Sequence, residues 1–182
     1  MVTIIYAVVA ILALWVVFTF NSLIRGKNRV AEAWSDIEVQ LKRRYDLIPN
    51  IVEAVKGYMS HERGVFEKVT EARSAAMGAR NAHEKAEAEN TLSSTLKTLL
   101  AVSENYPELK ANANFLDLQR ELSDTENKIQ AARRFYNGVV MDFNNKIEMF
   151  PSNILARAFA FKEREFFDLG EEAAKNPVKV SF

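Results

Sequence analysis

An uncharged N-terminal stretch constrains this chain more than any other feature. No charged side chain occurs in residues 1–24, and the run from Val2 to Phe20 is almost wholly aliphatic and aromatic. About 20 such residues in a helix, at about 1.5 Å of rise per residue, span the roughly 30 Å hydrocarbon layer of a membrane. The sequence therefore predicts a transmembrane helix, which includes Val2, Trp15, Phe20 and Ile24.

A cleaved secretory signal is the alternative interpretation of this N-terminus. Such a signal has a basic start, a shorter apolar core and a small-residue cleavage site. No Lys or Arg precedes the apolar run, and Phe18–Asn21 makes a poor cleavage site. These differences favour an uncleaved membrane anchor.

Basic residues follow the predicted span directly, at Arg25, Lys27 and Arg29. Lys and Arg are enriched on the cytoplasmic side of single spans, and they contact anionic lipid headgroups there. We therefore expect the N-terminus outside, the rest of the chain in the cytoplasm, and membrane lipid as a partner. The absence of Cys fits a domain on either side of the membrane.

Composition favours helix for the remainder of the chain. The sequence has only 6 Gly and 4 Pro in 182 residues, and its 24 basic residues balance its 24 acidic residues. A chain without net charge gives no electrostatic reason to expect a nucleic-acid partner.

Two apolar seams with alternating steps of three and four residues indicate amphipathic helices. The first seam comprises Val30, Trp34, Ile37, Leu41, Ile48, Val52, Val55 and Met59, and the second runs from Phe115 through Leu122, Ile129, Tyr136, Phe143 and Ile147 to Phe150.

The seams and their interruptions predict an all-α fold in which the transmembrane helix continues into an antiparallel four-helix bundle of long, coiled-coil-like helices. The expected helices are residues 25–58, 62–79, 84–106 and 112–150. The second and third helices form one continuous helix in the alternative interpretation, because Gly78 is a weak helix breaker. The predicted parts are an anchor (1–24), a bundle (25–150) and an aromatic C-terminal tail (151–182).

Several segments together resemble the LemA family. They include Ala33-Trp34-Ser35-Asp36-Ile37, Val39 to Asn50, Tyr106 to Asn112, Phe115 to Gln119, Ala132 to Asn137, Phe150-Pro151-Ser152 and Pro177 to Phe182. The segments occur in the same order over nearly the whole chain, so the resemblance is specific. It implies a bacterial single-pass membrane protein with a cytoplasmic helical bundle and no established catalytic activity.

Pro49 lies inside the first predicted helix, where it removes the hydrogen bond to the carbonyl of Tyr45. A structural kink is the simpler interpretation, and a hinge or a partner contact that also uses Asp46 and Glu53 is the sharper one. Asp46 and Glu53 share a stripe beside the apolar seam, as do Glu126 and Arg133. We expect these residues to form register-fixing ion pairs rather than a catalytic carboxylate pair.

The C-terminal tail is too aromatic for a solvated disordered segment. Its candidate contact residues are Phe159, Phe161, Phe166, Phe167 and Phe182. We expect them to pack on the bundle or on a neighbouring subunit first, and on lipid second.

No phosphate-binding glycine loop, nucleophile elbow or cysteine site occurs in the sequence. We therefore predict no enzyme, no metal and no cofactor. The favoured function is a homo-oligomeric scaffold that assembles at the membrane. The alternatives are a monomeric adaptor that presents the bundle to a membrane protease or stress-response partner and, third, an enzyme whose only supports are the carboxylates and His61.

Overall fold

The computed structural model describes residues 1–59 and 61–167, which contain helices and no strand. The helices are α1 (Val2–Lys56), α2 (Arg63–Gly78), α3 (Ala82–Ser103), α4 (Pro107–Lys110), α5 (Ala113–Glu148) and α6 (Ser152–Ala158). The predicted all-α class is confirmed, and the apolar N-terminus continues without a break into the first predicted bundle helix.

The predicted helix boundaries agree with the structure to within a few residues. α2 and α3 are separate helices, so the single-helix alternative is wrong. The side chain of Asn81 caps α3 by accepting a 2.8 Å hydrogen bond from the backbone N–H of Glu84, and the Glu84 carboxylate accepts one from the N–H of Arg80. These two hydrogen bonds satisfy backbone N–H groups at the start of α3. Gly78 by itself does not indicate such a cap.

Both apolar seams are buried along most of their length. In α1 the buried side chains include Ile37, Leu41 and Val55, and in α5 they include Ile129 and Phe143. The predicted place of Phe150 in the second seam is wrong, because this side chain is 79% exposed. α5 ends at Glu148, so Phe150 no longer follows the helical period.

The chain divides into two compact units. Unit 1 contains Met1–Glu38 and Ala131–Phe166, and unit 2 contains Val39–Gln130 together with Phe167 among the described residues. α1 and α5 each contribute a segment to both units. The four-helix bundle and the division into anchor, bundle and tail stay predictions.

Candidate functional site

The N-terminal half of α1 exposes its apolar side chains on all sides. The large aliphatic residues from Val2 to Leu14 are at least half exposed, while Trp15 and Phe20 are partly covered. α1 is the one candidate membrane-spanning helix among the residues that the structure describes. A soluble surface rarely keeps such a continuous apolar area open, whereas lipid solvates it.

The three basic residues that follow the span, Arg25, Lys27 and Arg29, are exposed. The guanidinium of Arg29 lies 5.8 Å from the centre of the Phe135 ring on α5, close enough for a cation–π contact. The positive flank is thus available to solvent or to headgroups next to the apolar part of α1.

Within unit 1, aromatic residues that follow α6 pack against α1 where the apolar run ends. The ring of Phe159 lies 4.7 Å from that of Phe20, and the ring of Phe161 lies 6.1 Å from it, both tilted as aromatic pairs prefer. Phe166 is 45% exposed and Phe167 is buried. Phe182, also predicted as a contact residue, lies outside the described residues.

Side chains of α5 hold the backbone of the segment after α6. The amide of Asn144 donates to the carbonyl of Arg164 and accepts from its N–H, each at 2.9 Å. The Tyr136 hydroxyl donates to the carbonyl of Glu165 at 2.9 Å, and burial raises the pKa of that hydroxyl. Asn144 therefore pairs with the Arg164 backbone through one donor and one acceptor, as a neighbouring strand would.

We expect Asn144→Ala to release the segment around Arg164 from α5. Both hydrogen bonds to the Arg164 peptide disappear, at about 1 kcal/mol each, so the protection of its amide against hydrogen exchange should fall about tenfold or more. Exchange measured by mass spectrometry on the full chain tests this expectation. Asn145→Ala, an exposed change one residue along α5, should leave the protection unaltered. Equal protection in the two variants would contradict the assignment.

Unit 2 contains a buried polar cluster centred on Arg44 of α1. The guanidinium forms ion pairs with Glu89 of α3 and Glu126 of α5 and donates a 2.8 Å hydrogen bond to Ser93. The hydroxyl of Tyr45 donates to Glu89. Arg44 and Glu89 are completely buried, whereas the Glu126 side chain is 31% exposed. Opposite charges that are desolvated together must stay paired, so this cluster fixes how three helices meet.

The proline in α1 also removes a backbone hydrogen bond in unit 2. Pro49 has no N–H to donate to the carbonyl of Tyr45, and Nε of Arg73 on α2 donates to that carbonyl at 2.8 Å instead. α1 continues as a helix on both sides of Pro49. A side chain from another helix thus satisfies the acceptor that proline leaves open.

Asp46, Pro49 and Glu53 are all exposed on one side of α1. Glu53 pairs with Lys56 at 3.4 Å, a surface interaction that contributes little. Asp46 lines an open groove of about 640 Å³ together with residues of both signs and apolar character. The lining residues are Val39, Lys42, Arg43, Asp46, Leu47, Asn50 and Glu121.

The sequence as a whole is similar to a known protein family. The sequence profile of the LemA family matches residues 33–182. The chain belongs to the LemA family. It is 29% identical over 152 residues to Protein LemA of Metamycoplasma hominis, an alignment that covers 83% of this chain and 69% of that protein. It is also similar to two magnetosome proteins of Paramagnetospirillum magneticum, MamQ 1 and MamQ 2, at 23% identity over 193 aligned positions, which cover 92% of this chain and 71% of each relative. Together with α1, this membership supports a membrane-associated protein.

Sequence reasoning missed the roles of three residues in unit 2 of this LemA-family chain. Glu89 was not singled out, although it lies at three-residue steps between Ala86 and Leu92 on the buried side of α3. Arg44 interrupts the apolar seam of α1, and that interruption was the available signal for a buried partner of opposite charge. Arg73 had no comparable signal, because its role depends on where α2 lies.

Proposed function

We propose that this LemA-family protein is a non-enzymatic scaffold, anchored by α1 and assembled from copies of itself at the membrane. The observation that carries this proposal is a side of α5 in unit 1, here called the open side, on which large apolar residues are exposed between the polar residues Arg134, Asp142 and Asn145. Phe135, Met141 and Met149 are 47%, 52% and 63% exposed, respectively. They lie within about one third of the helix circumference, at 100° per residue.

The opposite side of the same helix faces the core of unit 1. Its buried residues are Tyr136, Val139, Val140, Phe143 and Ile147. α5 therefore has one apolar side that its own unit covers and, among the described residues, a second, mixed side whose large apolar residues stay exposed. Large apolar side chains exposed beside polar ones are typical of an interaction surface.

Gly138 lies within the open side, and a Cβ placed there would meet no heavy atom within 4 Å. Glycine inside a helix costs about 1 kcal/mol relative to alanine, and nothing in unit 1 requires it for close packing. A missing side chain lets a second helix approach closely, between Phe135 and Met141. This combination favours a helix as the occupant.

A second copy of this chain is the occupant that we infer. The anchor confines every copy to the same membrane in one orientation, which raises the local concentration and presents the open sides laterally. Two copies related by a twofold axis along the membrane normal would bring identical sides of α5 together. The basic flank after the span supports an orientation with the N-terminus outside and the units in the cytoplasm, at the inner membrane.

Particle mass tests this proposal with a matched pair of variants. We expect the full-length protein in mild detergent or lipid nanodiscs to form a uniform oligomer, and Met141→Glu to shift it to smaller particles. Met77→Glu on α2 is the control, since Met77 is also 52% exposed but lies in unit 2. A charge placed in an apolar contact loses the contact and pays for desolvation, so the effect on the dissociation constant should be about tenfold or more.

Two results would overturn the proposal that the protein is a scaffold. The first is a monomeric wild-type protein at every concentration, and the second is an equal loss of mass in the two variants. The groove beside Asp46 and the exposed Pro49 supports the second candidate, a monomeric adaptor for another membrane protein. A monomer whose binding to a purified partner falls on Asp46→Lys, but not on Glu67→Lys, would favour that function.

A further inference from the structure

A groove in unit 1 lies where α1 leaves the predicted membrane span. Its volume is about 390 Å³, and it opens between α1, α5 and the segment after α6. One part of its wall is aromatic, with Phe20, Phe159 and Phe161, and the other carries Lys27, Lys162 and Arg164. No acidic side chain lines this groove.

The position of the groove along α1 matches the boundary between hydrocarbon and headgroups. The apolar run ends at Phe20, about 27 Å of helix after Val2, which is close to the hydrocarbon thickness. Lys27 lies seven residues further, about 10 Å along the axis and so at the depth of the headgroups. The two parts of the groove wall therefore face the two chemical regions of a lipid.

Exposed apolar residues also lie just before the groove segment along the chain. Phe150 is 79% exposed and Ile154 on α6 is 56% exposed, while Leu155 of the same helix is buried. α6 is thus covered on one side and open on the other, directly before the ring of Phe159 that contacts Phe20. Apolar side chains at an interface gain from burial in the boundary between headgroups and acyl chains.

We propose that this groove binds the headgroup of an anionic phospholipid of the surrounding membrane. Lys27, Lys162 and Arg164 would surround the phosphate, and the aromatic wall would contact the upper part of the acyl chains. A cation near a membrane surface contributes about 1 kcal/mol to the attraction of anionic lipid, and a guanidinium pairs well with phosphate oxygens. This site lies between α1, the buried side of α5 and the segment after α6, and it does not depend on the assembly proposed for the open side of α5.

The structure also explains why Arg164 reaches this groove. Asn144 fixes the Arg164 peptide through two hydrogen bonds, and Phe161 is held by its contact with Phe20. The cations of the tail therefore belong to a positioned segment rather than to a free end. Positioned charges lose less conformational entropy on binding than mobile ones do.

Counting lipids that remain bound to the full-length protein tests the proposal. The protein is reconstituted in mixed phosphatidylcholine and phosphatidylglycerol, extracted in mild detergent and analysed by native mass spectrometry. The groove variant combines Lys27→Gln, Lys162→Gln and Arg164→Gln. Its control combines Arg134→Gln, Lys146→Gln and Arg157→Gln, which removes the same charge at exposed positions outside both the groove lining and the basic flank of α1.

We expect the wild type and the control to retain phosphatidylglycerol in preference to phosphatidylcholine, and the groove variant to retain about tenfold less. An equal loss in the two variants would overturn the proposal, because it indicates diffuse surface attraction. Equal retention of the two lipids by the wild type would overturn it as well. So would displacement of the lipid by inorganic phosphate, which identifies a free anion as the ligand, or lipid found only on oligomers, which locates the site between copies.

Discussion

Replacing Glu89 by Ala should lower the free energy of unfolding of unit 2 by about 3 kcal/mol or more, because it leaves a buried guanidinium without its buried partner. Arg44 keeps Glu126, which is partly exposed, and the Tyr45 hydroxyl loses one of its two acceptors and keeps the carbonyl of Ala76 at 3.3 Å. Urea unfolding of the full chain in mild detergent measures this loss of unfolding free energy. Hydrogen exchange of the α3 amides is the probe, because α3 belongs to unit 2.

The same helix offers the control for this prediction. Glu87 on α3 is 68% exposed and lies 3.5 Å from His83, so Glu87→Ala should change stability by no more than about 0.5 kcal/mol. Replacing Arg44 and Glu89 together by Met should recover most of the loss, since neither charge is then left buried alone. Similar stabilities of the two single variants would show that the pair does not hold unit 2 together.

Gly26→Val should destabilise unit 1 by about 2 kcal/mol through overpacking. A Cβ at Gly26 would lie 2.9 Å from Cδ2 of Phe143, whose ring is only 2% exposed and has little room to move. The fluorescence of Trp34 reports the change, because its ring lies 5.4 Å from that of Tyr136 in the same unit. A Trp15→Phe background removes the other tryptophan.

Gly138→Val is the matched control on α5, where an added Cβ meets no heavy atom. Valine is a better helix former than glycine, so this variant should be as stable as the wild type or slightly more so. The comparison requires detergent conditions in which the protein is monomeric, since Gly138 lies on the proposed assembly surface. A loss at Gly138 as large as at Gly26 would contradict the close approach of α1 and α5 at Phe143.

The helical fold was predictable because its signals are local and periodic. The steps of three and four residues that bury Ile37 and Phe143 are visible in the sequence, as is the continuous apolar run of α1. The short helices α4 and α6 were missed, since four and seven residues are too few to show a period. The exposure of Phe150 was missed because the seam was extended beyond the end of α5 at Glu148.

The candidate sites were less predictable, since they depend on which helices meet. Asp46 and Glu53 were expected in register-fixing pairs, yet both are exposed, and Arg44 makes the buried pairs instead. The loss of a partner for the Tyr45 carbonyl followed from Pro49 alone. The replacement donor, Arg73, could not be predicted, because packing decides where α2 places it.

By itself, the sequence determined the candidate membrane-spanning helix, the helical class and the family, because hydropathy, periodicity and ordered motifs are properties of neighbouring residues. Only the tertiary structure decided which polar groups are satisfied and which apolar sides remain open. Arg44 forms an ion pair with Glu89, which lies 45 residues further along the chain, and Asn144 donates a hydrogen bond to the Arg164 carbonyl, 20 residues further along. Such pairings arise from chain segments brought together by burial of the seams, and the free energy of that burial does not appear in any one segment.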